Sequence, residues 1–331
     1  MSNLFQEHFF HQESDDGLNS QQQVYLMCPP DHFGISYEIN PWMDRLNQPD
    51  LDLAREQWYN LVSNLREAGA VVEIVPPVPS LPDKVFMADT GLIDQNRFIM
   101  SRFRYPLRQP ETEYAADWFR SRNYEVLEFP LRAKESLESS DIAPFRGCLV
   151  AGYGFRTTLS THETLARLVR KQVLSIKFVD PRFYHLDISF CPLDDRRAIV
   201  TPAAWSRHSC ELVEKLVPEP LVLELDEAMT FCANAVVVGK TVIMPSCPLR
   251  VGRILERWGF MICVSPVSEF LKAGGAVHCL ALDLQGCLSR SEAEIQSQRR
   301  TGASMETMLQ IREEENFHIV EKGDLEGLGM E

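Results

Sequence analysis

The sequence predicts an α/β fold built from five similar strand–helix–strand units. An amphipathic, helix-like stretch is followed five times by a short run of β-branched residues, and each stretch is also preceded by a strand-like run. The unit recurs about every 40–55 residues, which is the spacing typical of repeat architectures. A ring of five such units would form one closed domain.

The first unit illustrates the pattern. Its helix is predicted over Asp50–Ala68, where apolar residues recur on one helical face. Asp50 is a suitable N-cap, and Gly69 suits the C-terminal end. Strand-like runs stand before and after this helix, as VYLMC (24–28) and VVEIV (71–75).

The other four units repeat the arrangement. The third helix begins with STHE, which has the spacing of a capping box. The helices are predicted over Tyr114–Arg122, from Ser160 to about Val173, over Ser206–Val217 and over Leu249–Trp258. The strand-like runs before them are RFIMSRF (97–103), CLVAGYG (148–154), AIVTPA (198–203) and AVVVGKTVIM (235–244). The runs after them are YEVLEF, LSIKFV, PLVLEL and FMICVSPV.

The alternative architecture is an ordinary doubly wound α/β sheet with one dinucleotide site. Such a site usually shows G-x-G-x-x-G after an early strand, whereas GYGF at 152–155 is only a fragment of that motif. The sequence also lacks the phosphate-binding pattern G-x-x-x-x-G-K-[ST]. The ring of five units is therefore favoured.

The two ends of the sequence differ from the region between them. Residues 1–21 are polar without periodicity and predict a flexible arm, and they lack the basic start and apolar core of a secretory signal. Residues 289–331 predict a polar, solvated tail in which a helix is allowed around Glu292–Glu315. A single domain is expected over 22–288.

Composition excludes several classes of protein. The formal net charge is −14, opposite to the basic excess of most nucleic-acid-binding proteins. No apolar run approaches the ~20 residues of a membrane helix, so neither nucleic acid nor membrane is an expected partner. The nine cysteines form no C-x-x-C pair, which argues against a zinc ribbon and favours a reducing, cytoplasmic location.

Cys279 is the first candidate for chemistry. It stands in FLKAGGAVHCLALDL (270–284), where two glycines precede it and a strand-like run follows. A Gly-Gly pair permits unusual backbone angles and a close approach of the chain to a ligand. Taken alone, a cysteine that enters an apolar strand is more often a core residue than a nucleophile. His278 is adjacent but would face the other side of such a strand.

His185 is the second candidate, in RFYHLDISFCPL (182–193). The segment alternates, so Asp187 is predicted on the same strand face as His185. A carboxylate beside an imidazole favours its charged form, which is the arrangement expected of a general acid. The alternative is a hydrogen-bonded core histidine.

Several charged residues stand in otherwise apolar loops. A buried carboxylate is costly unless it is paired, so carboxylates that converge on one pocket imply a cationic ligand such as a guanidinium. Taken singly, each is more simply a loop cap or an exposed charge. The acidic candidates are Asp83, Asp89, Glu138, Asp141 and Glu227. The candidates for binding a substrate carboxylate are Arg102, Arg104 and Arg156.

Taken together, these segments resemble the guanidino-group-modifying enzyme superfamily, in its dimethylarginine dimethylaminohydrolase and arginine-dihydrolase branch. The similarity covers nearly everything from 24 to 284. It implies the pentein fold, an α/β propeller of five pseudo-symmetric strand–helix–strand repeats around a central active site. The matching segments are MCPPDHFGISYEINPWM (27–43), LPDKVFMADTGLI (81–93), SRFR (101–104), LESSDI (137–142), AGYGFRT (151–157), FYHLDISFCPL (183–193) and FLKAGGAVHCLAL (270–282).

The resemblance implies a mechanism. Cys279 would attack the guanidinium carbon, and His185 would protonate the departing amine and later activate water. A covalent thiouronium intermediate would form and be hydrolysed. Glu138 and Asp141 are counted with the catalytic residues, Asp141 near His185 or the substrate. Neither a metal nor an organic cofactor is expected, because cysteine and histidine supply the covalent and proton-transfer steps.

The resemblance also implies how the substrate is bound. Asp83 and Asp89 would hold the guanidinium nitrogens, and Asp187 is a further substrate-binding candidate. Arg102 and Arg156 would bind the α-carboxylate. In the INPWM segment, Asn40 is expected to line the pocket.

The sequence departs from the family pattern at two places. Ala88–Asp89 stands where arginine dihydrolases carry Ala-Asn and the dimethylarginine enzymes usually carry Glu-Asp, and Ser139–Ser140–Asp141 stands where many members show Gly-Gly-Asp. A carboxylate at position 89 prefers a cation, and a neutral ureido group would leave it unpaired. We therefore expect the reaction to stop at the ureido product.

The predicted function is hydrolysis of the guanidino C–N bond of arginine or an N-methylated arginine, which gives a citrulline-type product plus ammonia or alkylamine. Three alternatives stay open: an arginine dihydrolase that yields ornithine and ammonia, an amidinotransferase, and a non-catalytic binding pentein. The expected partner is a small cationic guanidino compound, and family analogy allows a homo-oligomer.

Overall fold

The computed structural model describes residues 22–130 and 134–285. The predicted N-terminal arm, the predicted C-terminal tail and Cys287 lie outside the described residues. The described part of the chain forms five three-stranded sheets. None of its helices is long and apolar enough to cross a membrane.

The first unit shows how each helix connects two strands. Strand β1 (Val24–Met27) leads through helix α1 (Leu51–Glu67) to strand β2 (Val71–Ile74), which pairs with β1 in parallel. The carboxylate of Asp50 accepts hydrogen bonds from the N–H groups of Asp52 and Leu53, so the predicted N-cap is confirmed.

The next four units add a hairpin strand to this plan. In each sheet the first two strands pair antiparallel, and the last two pair in parallel around a crossing helix. The sheets consist of β3 (Gly91–Asp94), β4 (Arg97–Met100) and β5 (Glu125–Glu128); β6 (Ile142–Phe145), β7 (Cys148–Tyr153) and β8 (Val173–Lys177); β9 (Phe190–Pro192), β10 (Arg197–Val200) and β11 (Glu219–Val222); and β12 (Val236–Val238), β13 (Thr241–Met244) and β14 (Met261–Val264). The crossing helices are α2 (Gln109–Ser121), α3 (Ser160–Val169), α4 (Arg207–Leu216) and α5 (Leu249–Arg257). Two one-turn helices lie at Leu225–Ala228 and Ser268–Leu271.

The first sheet is completed from the far end of the described chain. Strand β15 (Leu282–Asp283) pairs antiparallel with β1, with Leu282 opposite Leu26 and Asp283 opposite Tyr25. The first and last units therefore share one sheet. This pairing gives the first unit the same three-strand plan as the other four, and the predicted five-unit α/β fold is confirmed.

Two local predictions were wrong. The capping box at STHE does not form, because the hydroxyl of Ser160 donates to Glu135 instead, and Leu159 is the N-cap residue without a side-chain cap. The run at 235–244 is a hairpin rather than one strand. Gly239 stands at its turn with φ +58°, a left-handed conformation that glycine adopts at little cost.

The bounds of the second helix also differ from the prediction. Helix α2 begins at Gln109 rather than Tyr114, with Pro110 in its first turn. Proline is tolerated there because the first N–H groups of a helix have no partner within it. The extra turn places Glu111 in the helix, where its side chain is buried.

The closing pair β15–β1 gives a stability prediction. Leu282 is 6% exposed and packs in a core cluster with residues of β1. We expect Leu282→Ala to lower the free energy of unfolding by about 2–5 kcal/mol, through lost burial and the cavity that remains. Chemical denaturation measures it. The control Leu46→Ala, at a side chain that is 94% exposed, should change it by less than about 0.5 kcal/mol. An equally small change for both variants would contradict the pairing of β15 with β1.

Candidate active site

The five units contribute equivalent segments to one site. In every unit, the segment concerned comes directly before the outer strand of the antiparallel pair, that is before β3, β6, β9, β12 and β15. Hydrogen bonds join these segments. Ala88 N donates to Cys279 O (3.1 Å), Leu186 N donates to Asp141 Oδ1 (3.1 Å) and Asn234 Nδ2 donates to Asp187 O (3.3 Å).

A small cavity lies where these segments meet. Its walls combine acidic, basic and apolar side chains with the candidate nucleophile. The cavity is lined by Ile39, Asn40, Met43, Asp83, Phe86, Asp89, Arg108, Arg156, Tyr184, Ala273, Gly275 and Cys279. Five of the predicted site residues therefore lie on one surface: Asn40, Asp83, Asp89, Arg156 and Cys279.

Cys279 is buried next to a carboxylate and an amide. Its thiol donates to Asp187 Oδ2 at 3.2 Å and accepts a hydrogen bond from Asn234 Nδ2 at 3.2 Å. Burial raises the pKa of this thiol well above its usual value, and the negative charges of Asp187 and Asp89 raise it further. In the absence of a bound cation, Cys279 is therefore held as the thiol.

Asn234 holds the turn that carries Cys279, and the sequence did not reveal it. Its Oδ1 accepts hydrogen bonds from the backbone N–H of His278 (2.9 Å) and of Cys279 (3.4 Å). The side chain is fully buried. The sequence feature that could have indicated Asn234 is its position as a polar residue in the apolar run FCANAV, just before a strand and close to Glu227. Glu227 itself lies away from the cavity and pairs with Arg250.

The glycine pair before Cys279 permits close packing, as expected, but against protein groups. A side chain on Gly275 would meet the ring of Phe86 at 2.2 Å. Gly274 has φ +85°, and a side chain there would meet Asn40 Oδ1 at 2.8 Å and the Tyr184 hydroxyl at 2.9 Å. Asn40 donates in turn to Ala273 O at 3.0 Å, so this loop closes one wall of the cavity.

The predicted strand pairing of His185 with Asp187 was wrong. His185 precedes a 3-10 turn at Leu186–Ile188, so the two side chains do not share a strand face. Asp187 instead accepts from Cys279 and from His278 Nδ1, the latter at 3.0 Å. Burial alone would raise the pKa of Asp187, but the hydrogen bond and charge of His278, the charge of His185 and the hydrogen bond from Cys279 together outweigh it and lower that pKa. Asp187 is therefore charged beside the candidate nucleophile.

The carboxylate partner of His185 is Glu138. His185 Nε2 lies 2.8 Å from Glu138 Oε2, and Nδ1 lies 3.8 Å from Oδ1 of the cavity-lining Asp89. Burial alone would lower the pKa of His185, but the charge of Asp89 and the hydrogen bond to Glu138 outweigh it and raise the pKa. Glu138 also accepts from Arg156, and these two cations hold the pKa of Glu138 well below its usual range despite its burial.

Asp141 supports the backbone of the site. Its Oδ1 accepts from Leu186 N and its Oδ2 from Thr157 N, both at 3.1 Å, and it does not line the cavity. Burial raises its pKa to about 7, although His185 partly offsets that effect. The side chain therefore positions the segment that carries His185.

The two serines that replace the family's glycines bind the segment of Asp89. Ser140 donates from its hydroxyl to Asp89 Oδ1, and Ser139 donates to the carbonyl of Ala88. Both hydroxyls are buried. The two places where the sequence departs from the family pattern therefore contact each other.

The arginines of the site are only partly the predicted ones. Arg156 lines the cavity, where its guanidinium donates to Glu138 (3.0 Å) and lies over the ring of Tyr184. Arg102 is not among the lining residues, and its backbone forms a bridge with Leu137. Arg104 is exposed. Arg108 was not predicted, yet it is buried and lines the cavity.

Arg108 pairs with both carboxylates that were predicted to bind a guanidinium. Its Nη1 donates to Asp89 Oδ2 at 2.7 Å, and its Nε lies 3.7 Å from Asp83 Oδ2. Asp83 Oδ2 also accepts from the hydroxyl of Tyr37 at 2.9 Å. Among the described residues, Oδ1 of Asp83 and Oδ1 of Asp187 are buried without a hydrogen-bond partner. Of these two residues, Asp83 lines the cavity.

No family model matches the chain, but known proteins resemble it along most of its length. It is 34% identical over 261 residues to N(G),N(G)-dimethylarginine dimethylaminohydrolase of Mycobacterium tuberculosis, which covers 78% of this chain and 85% of that protein. The chain belongs to the dimethylarginine dimethylaminohydrolase family. The predicted superfamily is thereby confirmed.

The arginine-dihydrolase branch of this family matches as well. The chain is 38% identical over 272 residues to the bifunctional arginine dihydrolase/ornithine cyclodeaminase AgrE of Nostoc sp., which covers 78% of this chain. The aligned part is 37% of the length of AgrE. The N-terminal domain of ArgZ, an arginine dihydrolase from cyanobacteria solved with bound substrate, superposes with a TM-score of 0.76 at 36% identity over 80% of this chain and 98% of that domain.

The predicted pentein fold is also confirmed by a more distant structure. A dimethylarginine dimethylaminohydrolase superposes with a TM-score of 0.67 at 19% identity and covers 79% of this chain. Among the described residues, no group of three or more His, Cys, Asp or Glu side chains has an arrangement that could hold a metal ion.

The contact between Asp187 and Cys279 gives a prediction about thiol reactivity. Because Asp187 raises the pKa of Cys279, we expect Asp187→Asn to increase the rate at which neutral chloroacetamide alkylates Cys279 at pH 7, by up to about tenfold for each unit by which the pKa falls. Peptide mass spectrometry measures it, with Asp195→Asn at an exposed carboxylate as the control. An unchanged or slower rate would contradict the assigned contact.

Proposed function

We propose that this chain hydrolyses the guanidino C–N bond of arginine or an N-methylated arginine through a thiouronium intermediate on Cys279, and that it releases a citrulline-type product. The observation that carries the proposal is that Cys279, Asp83 and Asp89 line one cavity and that His185 Nδ1 lies 3.8 Å from Asp89 Oδ1. A nucleophile, an acid and guanidinium-binding carboxylates meet there.

Carboxylates bind the reacting end of the substrate. The unpartnered oxygens Asp83 Oδ1 and Asp187 Oδ1 supply acceptors for guanidinium N–H groups, and Asp89 adds a third carboxylate. Bound in this way, the planar guanidinium would present its central carbon to the thiol of Cys279. A buried site that holds several carboxylates favours a cation over a neutral ligand.

The substrate itself activates the nucleophile. The pKa of Cys279 is raised by burial and by two carboxylates, and a bound guanidinium opposes both negative charges. The thiol therefore releases its proton to solvent when the cation binds, and the thiolate attacks the guanidinium carbon to give a tetrahedral adduct. The amide of Asn234, which donates to the sulfur at 3.2 Å, favours the thiolate further.

His185 moves the protons in both half-reactions. In its protonated form it gives a proton to the leaving nitrogen, the C–N bond breaks, and ammonia or alkylamine departs to leave the cationic thiouronium. The neutral imidazole then takes a proton from water, and the resulting hydroxide attacks the same carbon. The C–S bond breaks, and the remaining hydroxyl proton passes to the departing sulfur, which releases the neutral ureido product and restores the thiol. Its Nδ1 is the nitrogen that faces the cavity side, because Nε2 is bound to Glu138.

One arginine of the site is assigned to the α-carboxylate of the substrate. Arg156 and Arg108 are the buried cations of the cavity wall, and we assign the α-carboxylate to Arg156, as predicted. Its guanidinium is held by Glu138 and by the carbonyl of Ile39, so its orientation is set before the substrate binds. Arg102 stays a prediction for this role.

Asp89 supports a reaction that stops after one hydrolysis. The ureido product is neutral, so if it bound again in the same place it would lack the positive charge with which the substrate competes against Arg108 for this buried carboxylate. The second candidate function is arginine dihydrolase, which is favoured by the similarity to AgrE and ArgZ. The cytoplasmic location, the homo-oligomer and catalysis without a metal or organic cofactor belong to this proposal as predictions.

The products distinguish the two candidate functions. We expect arginine to yield citrulline and ammonia in equal amounts, with no ornithine, in an assay that combines mass spectrometry with ammonia detection. In Asp89→Asn the amide no longer demands a cation, so the ornithine fraction should rise. Ornithine as the main product of the unaltered enzyme would favour the dihydrolase. If no guanidine in a panel of arginine, methylated arginines and agmatine is consumed, the proposed function is wrong.

The pair of His185 and Glu138 predicts a pH dependence. The pKa of His185 is raised in the folded protein, so its acid form persists at neutral pH and activity is lost as the pH rises through that pKa. Glu138→Gln removes one cause of the raised pKa, and the alkaline limb of kcat should move to lower pH while kcat falls about 10²–10³-fold. The control is Glu128→Gln, at an exposed strand residue. An alkaline limb that stays in place would contradict the role of Glu138.

A further inference from the structure

Asp89 is already occupied by a guanidinium that belongs to the protein. Its Oδ2 accepts from Arg108 Nη1 at 2.7 Å, and its Oδ1 accepts from the hydroxyl of Ser140. A substrate guanidinium that approaches Asp89 must therefore compete with Arg108 for the same carboxylate. How firmly Arg108 is held elsewhere decides how easily Asp89 becomes available.

Glu111 is the group that holds Arg108 from the other side. Its carboxylate accepts from Arg108 Nη2 at 2.8 Å and from Nε at 3.0 and 3.2 Å. The side chain of Glu111 is buried, and it does not line the cavity. It stands in the first turn of α2, three residues after Arg108, and the partial positive charge of a helix N-terminus favours a carboxylate there.

We propose that Glu111 is a positioning residue for the reaction, which holds Arg108 in the cavity wall so that Asp89 can exchange Arg108 for the guanidinium of the substrate. The inference rests on the proposed function, because it assigns Asp89 to the substrate guanidinium. It adds a residue that never touches the substrate and acts only through Arg108.

The charge balance around Arg108 explains the direction of the effect. With Glu111 ionised, Arg108 keeps a bidentate partner when it leaves Asp89, so the exchange does not strand a buried cation. A neutral amide at position 111 would leave the charge of Arg108 to Asp89 and Asp83 alone. The pair of Arg108 and Asp89 would then tighten, and a cationic substrate would bind less well while the chemical step stayed the same.

Other charged groups face Glu111, and they limit which pH effect belongs to it. Besides Arg108, it experiences the charges of Asp83, Asp89 and Lys84, and it lies near the titratable side chains of Cys28 and Tyr37. Burial raises the pKa of Glu111 to about 8, with Arg108 opposing that effect. The ratio of the KM values of two variants, taken at each pH, cancels the titration of the groups that both variants share.

The experiment compares Glu111→Gln with Glu113→Gln, a matched change at an exposed glutamate of the same helix. At pH 9, where Glu111 is ionised, we expect Glu111→Gln to raise KM for arginine about tenfold, the size of one lost charge-assisted hydrogen bond, with kcat within about twofold. The KM ratio of this variant to the unaltered enzyme should grow between pH 7 and pH 9, because Glu111 ionises over that range. Glu113→Gln should change neither constant.

Labelling of Cys279 tests the exchange without turnover. Cationic chloroacetamidine must displace Arg108 from Asp89, whereas neutral chloroacetamide need not. We expect Glu111→Gln to slow labelling by the cationic reagent severalfold and to leave the rate of labelling by the neutral reagent unchanged. Glu111→Asp keeps the charge, so its rate with the cationic reagent should lie between those of Glu111→Gln and the unaltered enzyme. If Glu111→Gln does not fold, judged by its thermal unfolding, Glu111→Asp carries the comparison against the unaltered enzyme.

Three results would overturn the inference, and they are distinguishable. An enzyme that consumes arginine, but whose KM and labelling ratio do not respond to either change at Glu111, shows that the proposed function holds and the positioning role does not. Equal slowing of both reagents also excludes the exchange. If the unaltered chain neither consumes arginine nor reacts at Cys279 with either reagent, the proposed function fails and the inference fails with it.

Discussion

The active site depends on a cluster of buried carboxylates and on the cations that pair with them. Six carboxylates lie buried in connected positions. Oδ1 of Asp83 and Oδ1 of Asp187 have no hydrogen-bond partner, and Asp89 is paired with Arg108, which a substrate guanidinium would replace in the proposed reaction. Burial of a carboxylate is unfavourable unless its oxygens are paired, so the unpartnered Oδ1 of Asp83 in the cavity wall favours a ligand that donates hydrogen bonds. The charge of the carboxylates keeps the Cys279 thiol protonated and His185 cationic, which are the starting states that the proposed reaction needs. The carboxylates are Asp83, Asp89, Glu111, Glu138, Asp141 and Asp187.

Local periodicity was enough to predict the fold, because each crossing helix carries its apolar face within its own sequence. The partners within the site were not predictable in this way. Asp187 was assigned to His185, two residues away, whereas it contacts Cys279 and His278 from the far end of the described chain. Arg108 looked like any other polar residue before a helix, and only the folded chain shows that it is buried. Cys279 was placed in the site by family resemblance, since its own segment also fits a core residue.

The two departures from the family pattern form one feature of the structure. The carboxylate of Asp89 accepts from the hydroxyl of Ser140, which stands where the resemblance leads one to expect glycine. Glycine offers no side-chain donor, so the serine supplies a hydrogen bond to one oxygen of Asp89, which itself stands where arginine dihydrolases carry asparagine. The residue that decides the proposed outcome of the reaction is thus oriented by a residue from the next unit. A comparison of products among relatives should therefore consider positions 89 and 140 as a pair.

The pairing of β15 with β1 has a consequence for the timing of activity during synthesis. Cys279 lies three residues before β15, and its carbonyl is bound by Ala88 in the second unit. A ribosome would therefore complete four units before the nucleophile exists, and the cavity would take shape only when the two strands meet. Contacts this distant in sequence form late, since the chain must first bear the entropic cost of closing the whole loop. An interrupted chain that lacks its last unit would be catalytically inert rather than partly active.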